Sequence, residues 1–226
     1  MALATFICKL LMPTIKTIIF DLDGTLIDSS TSILAGFAGA FAEEGISPLL
    51  PLAPEIIGPP LKETLALLAG TDDPALIDRL ADRFKKHYDT TGYRQTTVFE
   101  GIDEALKRLA EIVPLHIATN KRLHPTLKII DHLGWRTYFA TVRALDAWTP
   151  PEKNKAAMIR RQLAEESIAI ESAIYIGDRE EDFLAARSNA LGFALADWGY
   201  GKAPAIDNVQ RLKSPLDMLN LINDPA

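Results

Sequence analysis

A short apolar run that ends on a pair of carboxylates constrains the fold of this chain most strongly. Residues 17–20 are rich in β-branched and aromatic side chains, and Asp21, Asp23 and Gly24 follow them. Such a run predicts a buried β-strand. Because side chains two positions apart share one face, Asp21 and Asp23 leave the strand end together. Gly24 permits a sharp turn, so we expect both carboxylates at an open rim of a sheet.

Two later apolar runs, 114–119 and 172–178, also end on polar side chains, and a lysine opens a helix-like segment between them. These later candidates are a hydroxyl, an amide, an ammonium and two carboxylates: Thr119, Asn120, Lys155, Asp178 and Asp182. An acidic turn is the alternative for the first motif alone, because Asp-Gly is a common turn pair. The carboxylate pair, the hydroxyl with its amide, the lysine and the second carboxylate pair make four motifs in one chain. Their joint occurrence by accident is a poor explanation.

After about residue 97, strand-like and helix-like segments alternate along the chain. The predicted helices span 100–110, 125–133, 155–164, 182–190 and 215–222, and the predicted strands after the first span 116–119, 138–142, 172–178 and 193–196. This alternation predicts an α/β protein with a parallel sheet and helices on both faces. Functional sites in such sheets lie at the carboxyl ends of the strands, where the runs ending at Asp21, Thr119 and Asp178 would meet.

Residues 30–96 interrupt the alternation with helical periodicity alone. Ile33, Phe37 and Phe41 recur at a spacing of four, and similar patterns follow as far as Phe84. A helical insert is therefore predicted between the first strand and the rest of the sheet. Within it, the stretch from Gly58 to Pro60 indicates a stiff bend.

Taken together, these motifs resemble the haloacid dehalogenase-like (HAD) superfamily, and phosphoglycolate phosphatase-like members in particular. The matched positions are Asp21, Asp23, Thr119, Lys155, Asp178 and Asp182. The resemblance implies a Rossmann-like catalytic core at 15–29 and 97–226. It also implies a small inserted α-helical cap domain at 30–96, and residues 1–14 would be an N-terminal extension.

The resemblance further implies a Mg²⁺-dependent phosphatase that acts through an aspartyl-phosphate. Asp21 would be the nucleophile, and Asp23 would protonate the leaving alcohol and then deprotonate the attacking water. Mg²⁺ would be held by Asp21, Asp178 and the backbone carbonyl of Asp23, with Asp182 as a further candidate. An all-oxygen donor set of this kind suits Mg²⁺.

Thr119 and Asn120 would bind phosphoryl oxygens, and Lys155 would balance the charge of the carboxylate and the phosphoryl group. Lys153 is an alternative for this lysine, since the family motif commonly reads Lys-Pro-x-Pro and this chain departs from it. Asp182 could instead support the metal or the lysine, or be an ordinary acid at the start of a helix.

Two features of the insert each allow two interpretations from the sequence. The bend at Gly58 could be the cap loop that faces the site in phosphoglycolate phosphatase-like members, or a simple turn between helices. Four basic side chains could meet a substrate anion or form a solvated helix face: Arg83, Lys85, Lys86 and Arg94.

Composition narrows the classes of partner and location. The chain has 226 residues and a net charge of −6, which argues against a general nucleic-acid binder. A single cysteine, Cys8, excludes an internal disulfide framework, and without a convincing signal peptide a cytoplasmic location is expected. The apolar stretch 1–11 is too short to span a membrane, so we expect no membrane partner, and Met12 could be the natural start.

A small phosphorylated metabolite is the expected substrate, because a cap over the site would obstruct a polymer. A sugar-phosphate phosphomutase of the same superfamily is the main alternative, since it would use the same aspartates. From another class, a catalytically silent phosphometabolite-binding protein is possible. Asp23 argues against a haloalkanoate dehalogenase and a phosphonate hydrolase, because those members lack the second aspartate.

Overall fold

The computed structural model describes residues 14–201 and 209–222. The predicted N-terminal extension therefore lies almost entirely outside the described residues, and so does the alternative start at Met12. Among the described helices, none is both long enough and apolar enough to cross a bilayer.

Eight strands form two sheets. In chain order they are β1 (Thr17–Phe20), β2 (Ile27–Asp28), β3 (Thr97–Val98), β4 (Leu115–Thr119), β5 (Phe139–Ala144), β6 (Ala173–Gly177), β7 (Gly192–Ala196) and β8 (Gln210–Leu212). The larger sheet has the order β5-β4-β1-β6-β7-β8, and every pairing in it is parallel. Phe20 at the end of β1 pairs with Ile117 on one side and Ile176 on the other. The central strands consequently end at one edge.

Seven α-helices accompany the strands in the described residues. They are α1 (Ser30–Glu44), α2 (Leu61–Ala69), α3 (Pro74–Tyr88), α4 (Ile102–Ala110), α5 (Leu123–His132), α6 (Lys155–Glu165) and α7 (Glu180–Arg187). Short 3₁₀ helices span Pro54–Ile56, Gly92–Gln95, Leu145–Ala147, Ile170–Ser172 and Pro215–Leu221.

The side chains of β1 alternate between the two faces of the larger sheet. Ile18 and Phe20 belong to one buried apolar cluster, and Ile19 belongs to a second cluster with Met158 and Ile159 of α6. This period of two is what a strand buried on both faces requires. The predicted α/β fold with a parallel sheet covered on both faces is thus confirmed.

Three short strands escaped the sequence analysis. β2 and β3 have two residues each, which is too short for any periodicity, and they pair antiparallel at the two ends of the helical insert. β8 lies at the sheet edge, where only Leu212 of its three residues is buried. Segment 215–222, predicted as a helix, forms a 3₁₀ helix that ends at Leu221.

The insert between β2 and β3 contains α1, α2 and α3, and no strand lies within 30–96, all of which the structure describes. Helices α1 and α3 pack through an aromatic stack in which the Phe37 and Phe84 ring centroids lie 5.0 Å apart. Tyr88 extends the stack at 5.2 Å from Phe84. The helical character of the insert agrees with the sequence pattern, and its standing as a separate cap domain stays a prediction.

Two glycines of α1 give a matched test of how closely it packs against α3. A Cβ at Gly36 would lie 2.8 Å from Phe84 Cε2, whereas a Cβ at Gly39 would meet only His87 Cδ2, at 4.0 Å. We expect Gly36→Ala to lower the free energy of unfolding by about 1–3 kcal/mol through overpacking. Gly39→Ala should raise it by about 0.5–1 kcal/mol through the lower entropy cost of alanine in a helix. Urea titrations of both variants measure the difference, and equal effects would contradict the close crossing.

Candidate functional site

Three neighbouring strands deliver the predicted polar side chains to one edge of the sheet. Asp21 follows β1, Thr119 ends β4 and Asp178 follows β6. Lys155 at the start of α6 and Asp182 in the first turn of α7 reach the same place. All five side chains are buried. The parallel register therefore produces the arrangement that the strand-end argument predicted.

Lys155 lies between two carboxylates at the centre of the site. Its Nζ is 2.9 Å from Asp21 Oδ1 and 2.6 Å from Asp182 Oδ1. The Asn154 side chain caps α6 by accepting the Ala157 N–H at 2.9 Å, which fixes the start of the helix and places Lys155 in its first turn. Lys153, the alternative assignment, is exposed. The geometry thus favours Lys155.

Asp21, Asp178 and Asp182 form a buried acidic cluster in which one oxygen of each lies within 4.8 Å of the others. Asp178 Oδ2 accepts the backbone N–H groups of Tyr200 at 2.8 Å and Gly201 at 3.1 Å. The other oxygen, Asp178 Oδ1, is buried and has no hydrogen-bond partner among the described residues. A buried acceptor without a partner is costly, so this atom is suited to a cation ligand.

Gly24 allows the chain to pass directly against this cluster. Its φ angle is +86°, and a Cβ there would lie 2.5 Å from Asp178 Oδ2. Only glycine accommodates both the backbone conformation and the close approach. The turn predicted after Asp23 thus has a second purpose. It leaves room for the carboxylate of Asp178, which follows β6.

The cluster holds three acidic groups beside one lysine, and their pKa values are raised where no other partner compensates for burial. Burial raises the pKa of Asp21 to about 8 against the opposing effect of Lys155, and burial also raises the pKa of Asp178 to about 6. Burial alone would lower the pKa of Lys155, but Asp182 and Asp21 raise it by more, so it lies well above its usual value. With these raised pKa values the cluster holds protons near neutral pH when no cation is bound, and a divalent cation would displace them and balance the carboxylates.

Asp182 uses both of its carboxylate oxygens within the protein. Oδ1 accepts from Lys155, and Oδ2 accepts the Arg179 backbone N–H at 3.1 Å as part of a capping box that opens α7. Of the three roles left open by the sequence, the contacts favour support of the lysine combined with a helix cap. Asp178 keeps the better position for a direct metal contact.

Asp23 has a partner that the sequence analysis missed. Lys121 Nζ lies 3.1 Å from Asp23 Oδ1 and 3.2 Å from Oδ2, and the Ser29 hydroxyl donates to Oδ1. A signal for Lys121 was present, because it stands two residues after Thr119, as Asp23 stands two residues after Asp21. The spacing that brought the aspartate pair to one face also brings Thr119 and Lys121 toward the same rim.

Asn120 directs its side-chain amide toward the insert. Its Nδ2 donates to the backbone carbonyl of Gly58 at 3.0 Å and to Glu181 Oε1 at 2.8 Å. Both neighbours are acceptors, which fixes the amide orientation. Because both amide hydrogens are used, this arrangement leaves none for the phosphoryl oxygens that the side chain was expected to bind. The contact instead ties the strand end of β4 to the bend at Gly58.

A second residue from the sheet edge holds the same bend. The Arg179 guanidinium donates to the carbonyls of Ile57 and, at 2.9 Å, of Glu55. A Cβ at Gly58 would lie 2.7 Å from Arg179 Cδ, so the two segments are in tight contact. We call residues 55–58 the clamped loop. Its contacts favour the interpretation of a cap loop facing the site over that of a simple turn.

A half-open cavity of about 60 Å³ lies between the helices of the insert, the clamped loop and the strand ends. It is lined by apolar side chains of the insert, among them Phe37, Leu61 and Phe84, and by Asp23 and Lys121. The volume corresponds to a few water molecules. The cavity is therefore large enough for a small group only.

The basic side chains of the insert contact other parts of the insert. Arg83 pairs with Glu43 and Glu44, each at 2.6 Å, and Lys85 pairs with Asp82 at 3.1 Å. Lys86 is exposed. The Arg94 guanidinium lies over the Tyr93 ring. None of these four side chains lines the cavity. Of the two interpretations, a solvated helix face therefore agrees with the structure better than contact with a substrate.

Comparison with known proteins assigns the family. A profile of haloacid dehalogenase-like hydrolases matches residues 18–196, and the chain belongs to this family. A phosphoglycolate phosphatase from Cereibacter sphaeroides is 35% identical over 198 residues, covering 84% of this chain and 88% of the relative. A haloacid dehalogenase-like family hydrolase from Streptococcus pneumoniae has a similar structure, with a TM-score of 0.80 at 28% identity over 91% of this chain and 97% of the other. The resemblance inferred from the motifs is confirmed.

Another relative has a different printed activity. The tyrosine-protein kinase PtkA from Mycobacterium tuberculosis is 31% identical over 196 residues, which cover 85% of this chain. The match spans 65% of the length of that relative. The family thus includes proteins named for phosphate release and for phosphate transfer.

Lysines 153 and 155 provide a matched test of the buried bridge. Lys155→Met should lower the free energy of unfolding in metal-free buffer by about 3 kcal/mol or more, because it leaves buried carboxylates without their cation. Lys153→Met should change it by less than about 0.5 kcal/mol, because that side chain is exposed. Chemical denaturation with a chelator present measures both. Similar stability of the two variants would contradict the central position of Lys155.

Proposed function

We propose that this haloacid dehalogenase-like hydrolase is a Mg²⁺-dependent phosphatase that acts on a small phosphomonoester through an aspartyl-phosphate intermediate. The observation that carries the proposal is the Lys155 bridge between Asp21 and Asp182, next to the Asp178 oxygen that lacks a partner in the described chain. It supports the proposal because a candidate nucleophile contacts a fixed ammonium group, and a candidate metal ligand lies within 4.8 Å of that nucleophile. The name of the phosphoglycolate phosphatase relative supports the same reaction class.

The donor set fits Mg²⁺. Asp21 and Asp178 would supply carboxylate oxygens, and the Asp23 backbone would supply a carbonyl oxygen, all of them hard ligands. When bound, the ion would offset the repulsion between the Asp21 carboxylate and a phosphoryl dianion. The three buried acidic groups would bind the cation before substrate arrives, with the release of the protons that the raised pKa values of Asp21 and Asp178 favour in its absence.

Asp21 is the proposed nucleophile because Lys155 fixes its carboxylate at the sheet edge. In the first step an Asp21 oxygen forms a bond to phosphorus while the bond from phosphorus to the ester oxygen breaks. Asp23 donates its proton to that departing oxygen. In the second step the Asp23 carboxylate takes a proton from water as the water oxygen attacks phosphorus, which releases inorganic phosphate and regenerates Asp21.

Thr119 is the proposed donor to the phosphoryl group. Its Oγ1 accepts the Lys121 backbone N–H at 3.2 Å, so its own hydroxyl proton is left to donate. Lys155, held by two carboxylates, balances the charge that develops on the phosphoryl oxygens. The Asn120 amide is assigned to the clamped loop instead, because both of its hydrogens are used there.

The insert is proposed to act as a cap that selects small substrates. Its aromatic stack and the clamped loop line the half-open cavity of about 60 Å³ next to Asp23. Discrimination would come from this side, because the strand-end residues contact only the phosphoryl group that all candidates share. A phosphotyrosine within a protein would require the clamped loop to move away, so the cavity favours a small metabolite.

Replacing the nucleophile gives the most direct test of the reaction. Asp21→Asn should reduce phosphate release by about a thousandfold or more, because the amide is nearly isosteric and a poor nucleophile. Asp131→Asn, which alters a carboxylate on the outer surface of α5, is the control and should retain activity. Full turnover by a folded Asp21→Asn protein would contradict the mechanism. Faster isomerisation of a sugar phosphate than phosphate release by the wild type would favour the mutase alternative.

Metal binding is measured separately from activity. Mg²⁺ should raise the melting temperature of the wild type, since a ligand that binds only the folded state stabilises it. Asp178→Asn should abolish most of that increase, because the substitution weakens the carboxylate that offers a buried oxygen without a partner. The melting temperature of each protein is measured with and without Mg²⁺, and the two increases are then compared. An intrinsic change in the stability of the variant cancels in this comparison. An undiminished increase in Asp178→Asn would exclude this residue as a ligand.

A further inference from the structure

We propose that Lys121 is a positioning residue for the acid–base carboxylate of Asp23, and that Tyr88 of the insert completes the contacts that hold the lysine in place. The inference rests on the proposed phosphatase mechanism, since it concerns the group that protonates the leaving alcohol. It adds a residue outside the matched family motifs and assigns a purpose to the packing of α3 against the strand ends.

The contacts of Lys121 hold the Asp23 carboxylate at both of its oxygens. The ammonium nitrogen is 3.1 Å from one and 3.2 Å from the other, and the Lys121 side chain is only 6% exposed. Ser29 adds a hydroxyl contact to Oδ1. Charge-assisted contacts to both oxygens restrict rotation of the carboxylate about its Cβ–Cγ bond. Orientation of this kind is what a proton donor requires.

Tyr88 supplies the opposite side of the lysine environment. The Lys121 Nζ lies 4.6 Å from the centroid of the Tyr88 ring, within the range of a cation–π interaction. Tyr88 is itself buried in the stack with Phe84. The ammonium group is therefore placed between a carboxylate after β1 and a ring at the end of α3. This environment is complete only while the insert packs against the sheet edge.

The next residue along the chain has a different task. Arg122 forms a two-pronged pair with Asp89, at 2.8 and 2.5 Å. It therefore ties the start of α5 to the end of α3. Lys121 and Arg122 both line the cavity, but Lys121 contacts Asp23 whereas the Arg122 guanidinium is paired with Asp89.

A positioning role for the proton donor makes a specific kinetic prediction. An alkyl alcohol is a poor leaving group and needs a proton from Asp23, whereas 4-nitrophenolate leaves without one. A misplaced Asp23 should therefore slow alkyl esters and spare 4-nitrophenyl phosphate. The comparison uses kcat/KM, which covers steps only as far as the first bond cleavage. The second step is the same for all esters and does not affect kcat/KM.

The experiment compares Lys121→Met with the wild type on 2-hydroxyethyl phosphate, phenyl phosphate and 4-nitrophenyl phosphate. We expect kcat/KM to fall about a hundredfold on the alkyl ester, less on the phenyl ester, and by no more than a few-fold on the nitrophenyl ester. Asp23→Asn should show the same order. The double variant should lose little beyond Asp23→Asn, because the two residues act as one unit.

Lys128→Met is the matched control, since Lys128 also lies over a tyrosine ring, with its Nζ 5.3 Å from the Tyr93 centroid. Within residues 14–201 and 209–222 it bonds a backbone carbonyl and no carboxylate. Its profile across the three esters should match the wild type. Tyr88→Leu removes the ring and should give a milder version of the Lys121→Met profile. If Lys121→Met fails to fold, kcat/KM on the same three esters is measured for Lys121→Gln and Tyr88→Leu instead.

Equal loss on all three esters in a folded Lys121→Met protein would overturn the inference and leave the phosphatase mechanism standing. A loss that follows the charge of the leaving group, tested with phosphoglycolate against 2-hydroxyethyl phosphate, would also overturn it and make Lys121 a substrate-binding cation. Failure of the wild type to release phosphate from any of these esters would overturn the proposed function together with the inference.

Discussion

The structure depends on a buried ammonium group that serves three buried carboxylates. Lys155 contacts Asp21 and Asp182 directly, and Asp178 stands beside them with one oxygen that no described residue satisfies. Such an arrangement is unfavourable in an apolar interior unless geometry and further partners offset the desolvation cost. The backbone N–H groups near Asp178 and the helix cap at Asp182 supply part of that offset. A divalent cation would supply the remainder, so the desolvation cost of the cluster and its proposed chemistry have one cause.

The sheet makes this concentration of charge possible. Parallel pairing of β1 with β4 and β6 ends three strands at one edge, and the helices that follow place their first turns against it. The positive φ angle of Gly24 then lets the chain turn without displacing Asp178. Charge placement in the site is thus a result of the register of distant strands, together with helix capping and one glycine, which are local properties of the chain.

Much of this could be predicted from the sequence, because the signals are local. Asp21, Thr119 and Asp178 directly end buried runs, and alternation of segments predicts a parallel sheet. The partners of Asn120 could not be predicted, since they depend on how the insert packs over the strand ends. The pairing of Lys121 with Asp23 had a local signal in its spacing, but the contact with Tyr88 comes from 33 positions earlier in the chain. β2, β3 and β8 were too short or too exposed for a pattern to appear.

All the side-chain hydrogen bonds from the sheet edge to the clamped loop described above end on backbone carbonyls. Arg179 and Asn120 recognise the carbonyls of residues 55, 57 and 58, which any amino acid would present in the same way. Of its side chains, Glu55 is exposed and consequently free to vary, whereas Ile57 is buried in the apolar core and Arg179 leaves no space for a Cβ at Gly58. A family that keeps its reaction while changing its substrates would benefit from a loop in which the backbone provides the anchor and an exposed side chain can change. New side chains could be sampled over the cavity while the loop stays anchored to the unchanged edge of the sheet.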